Sequence, residues 1–544
     1  MAEPYYIDED VGKDDDSAVG TETAPYKTLL YAMKSHPPES SAYLTRKTGP
    51  DGPSEWKPAS DSAMKKTKKV YEQHKRKEQK NAEVANREKE DEMKRLKVLD
   101  EAKKFVLEED ASLPAPIKIR LDETDPEKIK LGTTDTPGTR VKVFGRVHRF
   151  RAQKDVIFIT LKDGYGQMQV VFGGNLIKTY AAMTLTLETS LEIRGQLREL
   201  PPNAKAPLDR ELHADFFTVI GAAAGDKEAI TNKVQAGGDI QTLLDQRHLV
   251  LRGDVLSSVM KVRAAVTRAF RQTYLETRCL EVTPPSMVQT QVEGGATLFG
   301  FPYYDQEAYL TQSSQLYLET CLPSMGDVFC ICPSFRAERS LTRRHLAEYM
   351  HIEAELDFIT FDDLLSHLEN VICRVIDLVL AEPLTAALIK ELNKDFQPPS
   401  RPFKRLRYAD AIVWLNEHNI DFEDEDKPEG DPERIRPHRF GDDIAEAAER
   451  KMTDILNVPI FLTHFPVEIK AFYMSRPADD PRVTESVDVL MPGVGEIVGG
   501  SMRISDYDEL MTAYKRVGID ATPYYWYTDQ RKYVFKLSWL MADY

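Results

Sequence analysis

Residues 328–355 constrain this chain more than any other stretch. An apolar run, Val328 to Ile331, leads into a loop carrying Arg336, Glu338, Arg339, Arg343, Arg344 and His345. A second strand, Tyr349 to Leu356, follows. In it Met350, Ile352 and Ala354 share one side and His351, Glu353 and Glu355 the other, because successive strand residues point to opposite faces. A loop this rich in arginine can clamp a polyphosphate, since a guanidinium group meets phosphate oxygens two at a time. A solvated charged hairpin would also account for the loop. Arg336, Glu353 and Glu355 beside strongly apolar segments argue against that simpler account.

The chain has 544 residues, room for about three or four domains. Its net charge of −16 argues against a nucleic-acid partner unless the basic residues are concentrated. They are: Lys65 to Lys80 holds eight Lys/Arg against two Glu. No proline or glycine occurs from Ser62 to Ala111, and Leu96, Leu99, Ala102, Phe105 and Val106 recur at helical spacing. The basic half has no apolar face to bury. It reads as a solvated helix, or as one that tracks a phosphate backbone, and it lacks the apolar stripe a membrane helix needs.

Five cysteines, an odd number, point to free thiols in a reducing compartment, and Cys330-x-Cys332 has no second pair to complete a zinc site. The acidic start (Glu3, Asp8, Glu9, Asp10) is unlike a secretory or mitochondrial leader. No apolar run reaches the roughly 18 residues of a membrane span. These features predict a cytoplasmic chain with no membrane partner.

Composition divides the chain. Residues 1–62 form a small N-terminal region, 63–111 a basic helical extension and 112–138 a linker with Pro114, Pro116, Pro126 and Pro137. Residues 139–220 read as about five short strands with one helical piece near 177–186, the pattern of an OB-fold β-barrel. Arg149, Arg151 and Lys154 lend its first strands charge, and Phe158 is either core or a stacking ring for a base. Residues 221–245 form a glycine-containing hinge, 246–533 a large domain and 534–544 a tail.

Within the large domain Val255, Val259, Val262, Val266 and Phe270 predict one face of a helix over 254–274. An amphipathic helical stretch is expected over 361–391, a charged insertion over 403–450 and a strand over Phe465–Tyr473. Asp488 and Glu496 flank a tight turn between strands, which is either a solvated hairpin or a place where two carboxylates share Mg²⁺.

Phe335-Arg336-Ala337-Glu338, Arg344-His345 and Glu353-Ala354-Glu355 resemble motif 2 of the class II aminoacyl-tRNA synthetases. The likeness is to the aspartate, asparagine and lysine subgroup, nearest its eukaryotic cytoplasmic branch, and covers about 130–533. It implies an α+β fold: an antiparallel sheet flanked by helices, preceded by an OB-fold barrel that binds the anticodon and a basic helical N-terminal extension. The implied activity is ATP-dependent activation of an amino acid and its transfer to tRNA.

The resemblance also assigns residues. Arg336, Glu338, Arg344 and His345 carry catalysis. Arg336, Arg344, His345, Tyr349 and Glu496 hold ATP, and Asp488 with Glu496 holds Mg²⁺. Glu293, Ser313, Gln315, Leu318, Glu353 and Arg503 surround the amino acid, and Arg151, Phe158 and Gln169 contact the anticodon. Leu318 stands where aspartate enzymes carry a lysine, and Glu353 where they carry an aspartate. Both changes suit a neutral amide, so the expected substrates are L-asparagine and tRNA(Asn), with no DNA partner. The helix and Pro284 resemble motif 1, which implies a homodimer.

The family's final glycine-rich strand and motif 3 arginine have no match in Val534 to Tyr544. The expectation is a sheet short of one strand, with apolar surface exposed. A noncatalytic tRNA-binding protein is the rival reading, and an aspartate-tRNA ligase a weaker one.

Overall fold

The computed structural model describes residues 4–49, 52–133, 135–235, 237–290, 298–337, 346–424, 427–533 and 540–543. They form two compact units, Met1–Thr242 and Leu243–Tyr544.

In the first unit a parallel pair, Pro4–Asp8 with Ala42–Arg46, is joined by Lys57–Pro58. A 42-residue helix, Asp61–Ala102, starts where the Ser60 side chain accepts from the Ala63 N–H. The helix ends before Phe105 and Val106, which are exposed. Helical spacing had included those two residues. The chain must instead extend to deliver Glu109 to Arg140 Nη2 at 2.8 Å and to Arg194. The Arg140 side chain is only 3% exposed, and a buried guanidinium left without its carboxylate is strongly destabilising.

The barrel has the expected five long strands: Arg140–Ala152, Val156–Lys162, Gln167–Gly173, Ser190–Glu199 and Arg210–Gly221. It closes by antiparallel pairing of the first with the fourth and by parallel pairing of the third with the fifth. Alternate residues such as Ile157, Ile159, Leu161, Met168, Val170 and Phe172 fill its core. Ile119, Leu121 and Ile129 of the proline-rich segment are buried in the same core.

The second unit is built on an eight-stranded sheet. Its order is Leu280–Glu281, Val328–Phe335, Glu348–Glu355, Leu540–Asp543, Gly495–Met502, Ser486–Met491, Ile460–Thr463 and Lys404–Arg407. Pairing is parallel at the two edges and antiparallel between. Leu540–Asp543 pairs with strands on both sides, so the sheet has no gap there and the expectation of a missing strand is corrected. Backbone N–H and C=O groups left unpaired between two strands would be costly, and the segment supplies their partners.

One face of the sheet is apolar. Phe329, Ile352, Ala354, Val487, Val489 and Val498 pack with Leu364, Leu368, Val371 and Ile372 of the helix Phe361–Ala381. A capping box of Thr360 and Asp363 starts that helix, and Pro383 begins a separate one. The helix Asp254–Glu276 lies against the same core through Ala269 and Tyr274, while Val255 and Val259 of its predicted face are exposed.

The strand expected over 465–473 is not formed. The strand ends at Thr463, and His464 takes a positive φ of 60° that turns the chain out of the sheet. The following residues form turns and bury Phe465, Val467, Phe472 and Tyr473. Among the described residues no helix is long and apolar enough to cross a membrane.

Candidate active site

The polar face of the sheet follows from the alternation of Tyr349 to Leu356. His351, Glu353 and Glu355 point away from the apolar core, and each is 1% exposed or less. Glu353 is held from the neighbouring helix. Its Oε1 accepts from Ser313 Oγ at 2.5 Å and the Ser314 N–H at 2.9 Å, and its Oε2 accepts from the Ser314 N–H at 3.0 Å and Cys330 Sγ at 3.8 Å. His351 Nδ1 lies 2.9 Å from Ser334 Oγ.

Gln315 is fully buried at the start of the helix Gln315–Met325. Leu318, one turn on, packs with Leu322, Val328 and Cys330. A lysine there would bring an unpaired ammonium into an apolar cluster. Ser313, Gln315, Leu318 and Glu353 are all fully buried.

Other residues converge on an open cavity of about 440 Å³ lined by Arg336, Lys470, Tyr473, Asp488, Glu496, Gly499, Ser501 and Arg503. The Arg336 guanidinium lies 5.5 Å from the Tyr349 ring centre, so the expected phosphate-gripping arginine and adenine-stacking ring are neighbours. Arg503 donates to Ser501 Oγ at 2.7 Å and Glu355 Oε1 at 3.0 Å, with its guanidinium 4.7 Å from the Tyr473 ring. Glu293, Glu338, Arg344 and His345 lie outside the described residues.

The residues for a divalent cation fit one. A Cβ built on Gly499 would lie 3.3 Å from Glu496 Oε1 and 3.9 Å from Asp488 Oδ1, so both carboxylates reach the space beside the Gly499 backbone. Two carboxylates with room for water and phosphate oxygens match the hard-donor preference of Mg²⁺.

Three neighbours were not anticipated. Lys470 donates to Asp488 Oδ2 at 2.7 Å. Burial opposes the Lys470 charge, but Asp488 and Glu496 outweigh it and raise its pKa. Glu449, mostly buried, has its pKa pushed up to about 9 by burial and then by Asp488 and Glu496. The third is Glu319, fully buried between Arg503 and Arg531. Lys470 sits in the stretch misread as a strand, and nothing local marks Glu319 or Glu449 among their helices.

On the barrel, Arg151 and Phe158 face each other on adjacent strands, with the Arg151 guanidinium 5.4 Å from the ring centre. Phe158 alternates with the core residues Ile157 and Ile159, so it lies on the outer face rather than in the core. Gln169 shares that face, opposite Thr160, and donates to Glu211 Oε2 at 2.8 Å. Glu211 in turn contacts His213 at 2.6 Å.

A family model described as "tRNA synthetases class II (D, K and N)" matches residues 239–536. Models for an "Asparaginal-tRNA synthetase, N-terminal domain" and an "OB-fold nucleic acid binding domain" match residues 21–114 and 141–220. The chain is 51% identical over 537 residues to the cytoplasmic asparagine–tRNA ligase of Saccharomyces cerevisiae, covering 97% of this chain and 92% of that protein. It is 47% identical over 538 residues to the human cytoplasmic enzyme, covering 98% and 92%. Among solved structures, Entamoeba histolytica asparaginyl-tRNA synthetase in complex with asparaginyl-adenylate superposes with a TM-score of 0.70 at 42% identity, covering 79% of this chain and 93% of that one.

Proposed function

This chain belongs to the eukaryotic-type cytoplasmic asparaginyl-tRNA synthetases, in the aspartate, asparagine and lysine subgroup of class II, and we propose how its residues divide the work. The activity is ATP-dependent charging of tRNA(Asn) with asparagine, in the cytoplasm. The asparagine carboxylate attacks the α-phosphorus of ATP, giving asparaginyl-adenylate and releasing pyrophosphate. The terminal ribose hydroxyl of the tRNA then attacks the adenylate carbonyl and releases AMP. Neither step needs a protein nucleophile. What the site must supply is orientation and charge aimed at the reacting phosphate.

Arg336 is the group that grips the α-phosphate and the amino-acid carboxylate, with Tyr349 beside it to stack on adenine. Arg344 and His345 are assigned to the outer phosphates, Glu338 to adenosine or the tRNA end, and Glu293 to the α-ammonium. Ser313 and Gln315 hold that ammonium from below. Glu353 accepts from the side-chain amide, and Arg503 donates to its carbonyl oxygen. Asp488 and Glu496 would hold Mg²⁺, which neutralises phosphate charge when bound. Arg151, Phe158 and Gln169 form the anticodon face, and the basic helix adds sequence-independent attraction to tRNA. Exposed Val255, Val259 and Leu280 on the motif 1 elements support a homodimer.

The observation that carries this reading is the convergence of Arg336, Arg503, Asp488 and Glu496 on one cavity. ATP–pyrophosphate exchange dependent on asparagine, with transfer to tRNA(Asn), is the expected result. Exchange at background in a preparation that still binds tRNA would instead mark a noncatalytic tRNA-binding protein. Exchange driven by aspartate in place of asparagine would overturn the substrate.

A further inference from the structure

The helix Gln315–Met325 carries a carboxylate that the reaction scheme above leaves without a role. Glu319 Oε2 accepts from Arg531 Nη2 at 2.7 Å, and its Oε1 accepts from Tyr527 OH at 3.1 Å and Gln315 Nε2 at 3.4 Å. Arg503 Nε lies 3.4 Å from the same Oε1. Arg531, on the helix Tyr525–Tyr533, is anchored from behind by the Ile504 carbonyl at 3.1 Å. Glu319 therefore stands between two guanidinium groups, one on the cavity wall and one behind it.

Both arginine side chains are 1% exposed, so their charges need partners inside the protein. Glu355 is the other carboxylate on Arg503, accepting from its Nη2 at 3.0 Å. Burial raises its pKa well above the carboxylate range, although the Arg503 charge opposes this. Glu353 makes its hydrogen bonds to Ser313, Ser314 and Cys330. Glu319 is the carboxylate that contacts both arginines. A site balanced in this way suits a neutral carboxamide. If position 319 lost its charge, Arg503 and Arg531 would each lose a carboxylate contact. An aspartate side chain could then supply the missing charge, and an asparagine side chain could not.

We propose that Glu319 is a positioning residue that sets substrate specificity: by neutralising Arg503 and Arg531 it holds the side-chain pocket ready for asparagine and closed to aspartate. This rests on Arg503 reading the substrate side chain. Leu318 acts in the same sense, since it denies the pocket a cation from the same helix turn.

The test is ATP–pyrophosphate exchange by the full chain with asparagine and with aspartate, comparing kcat/KM. Glu319→Gln is expected to lower the asparagine-to-aspartate ratio by at least about tenfold, through a lower KM for aspartate together with a higher KM for asparagine, with KM for ATP within about twofold. Glu319→Asp, which keeps the charge, should retain most of the ratio. Arg531→Met removes a cation and should move the ratio the other way, while Glu319→Gln with Arg531→Met should bring it back toward the parent value. A role in packing alone would move the ratio the same way in both single variants, with no return in the double, and that result overturns the proposal. Should Glu319→Gln not fold, a ratio unchanged or lowered by Arg531→Met overturns it as well. Arg503→Met separates the two readings. If it leaves KM for asparagine unchanged, the role of Arg503 is wrong. If it raises that KM while Glu319→Gln leaves the ratio alone, Arg503 keeps its role and Glu319 loses its own.

Discussion

The outer face of the barrel and the polar face of the large sheet are both built from strand alternation, yet they present their charged groups in opposite ways. On the barrel, Arg151, Phe158 and Gln169 sit on the outside of a closed core, one residue out of phase with Ile157, Ile159 and Val170. On the sheet, Glu353, Glu355 and Arg503 are no more than 3% exposed and are fixed by hydrogen bonds from other elements. An outer face can be changed one residue at a time with little cost to its neighbours. A buried network acts as a unit, because each missing partner leaves a desolvated charge behind.

The sharpest test of that contrast is Arg336→Ala. It is expected to lower kcat/KM for exchange by about a hundredfold to a thousandfold, the worth of one positioned donor on a reacting group, while tRNA dissociation changes little. A loss under tenfold would mean that the cavity does not hold the reacting phosphate. Phe158→Ala should do the reverse. It should raise the KM for tRNA about tenfold, the worth of one stacked base, with exchange unchanged. Equal damage to exchange would show that the barrel face and the site are not separable.

A smaller effect is expected from replacing Lys75, Arg76 and Lys77 with glutamine. tRNA affinity should fall about threefold at low salt and converge with the parent at high salt, and a salt-independent loss would count against backbone tracking.

The smallest effect concerns Glu449, whose pKa in the fold is about 9, raised by burial and then by Asp488 and Glu496. The unfolded chain releases this proton near pH 4.5, so its contribution to stability is fullest below that pH and is lost as pH rises toward 9. Glu449→Gln should therefore raise Tm by about 3 °C at pH 8 and hardly at all at pH 5. The same shift at both pH values in calorimetry would break this assignment.

Much of both faces was legible in advance. The alternation from Tyr349 to Leu356 correctly separated Ile352 and Ala354 from His351, Glu353 and Glu355. The barrel strands followed from the same period of two. Where local pattern failed, a distant contact or a single backbone angle had overridden it. The helix stops at Ala102 although Phe105 and Val106 continue its spacing, and Glu109 reaches the barrel arginines instead. The alternating stretch Phe465–Tyr473 is not a strand because His464 turns the chain.

Period and composition thus carry which side of each strand is polar and which segments are helical, because each is a property of neighbouring positions. They do not carry the partners of a buried charge. Glu319, Arg503 and Arg531 lie on three separate elements of the second unit, and no local rule links them. Their meeting depends on how the sheet brings helices and strands together, and on the high cost of leaving any of the three charges unpaired away from water.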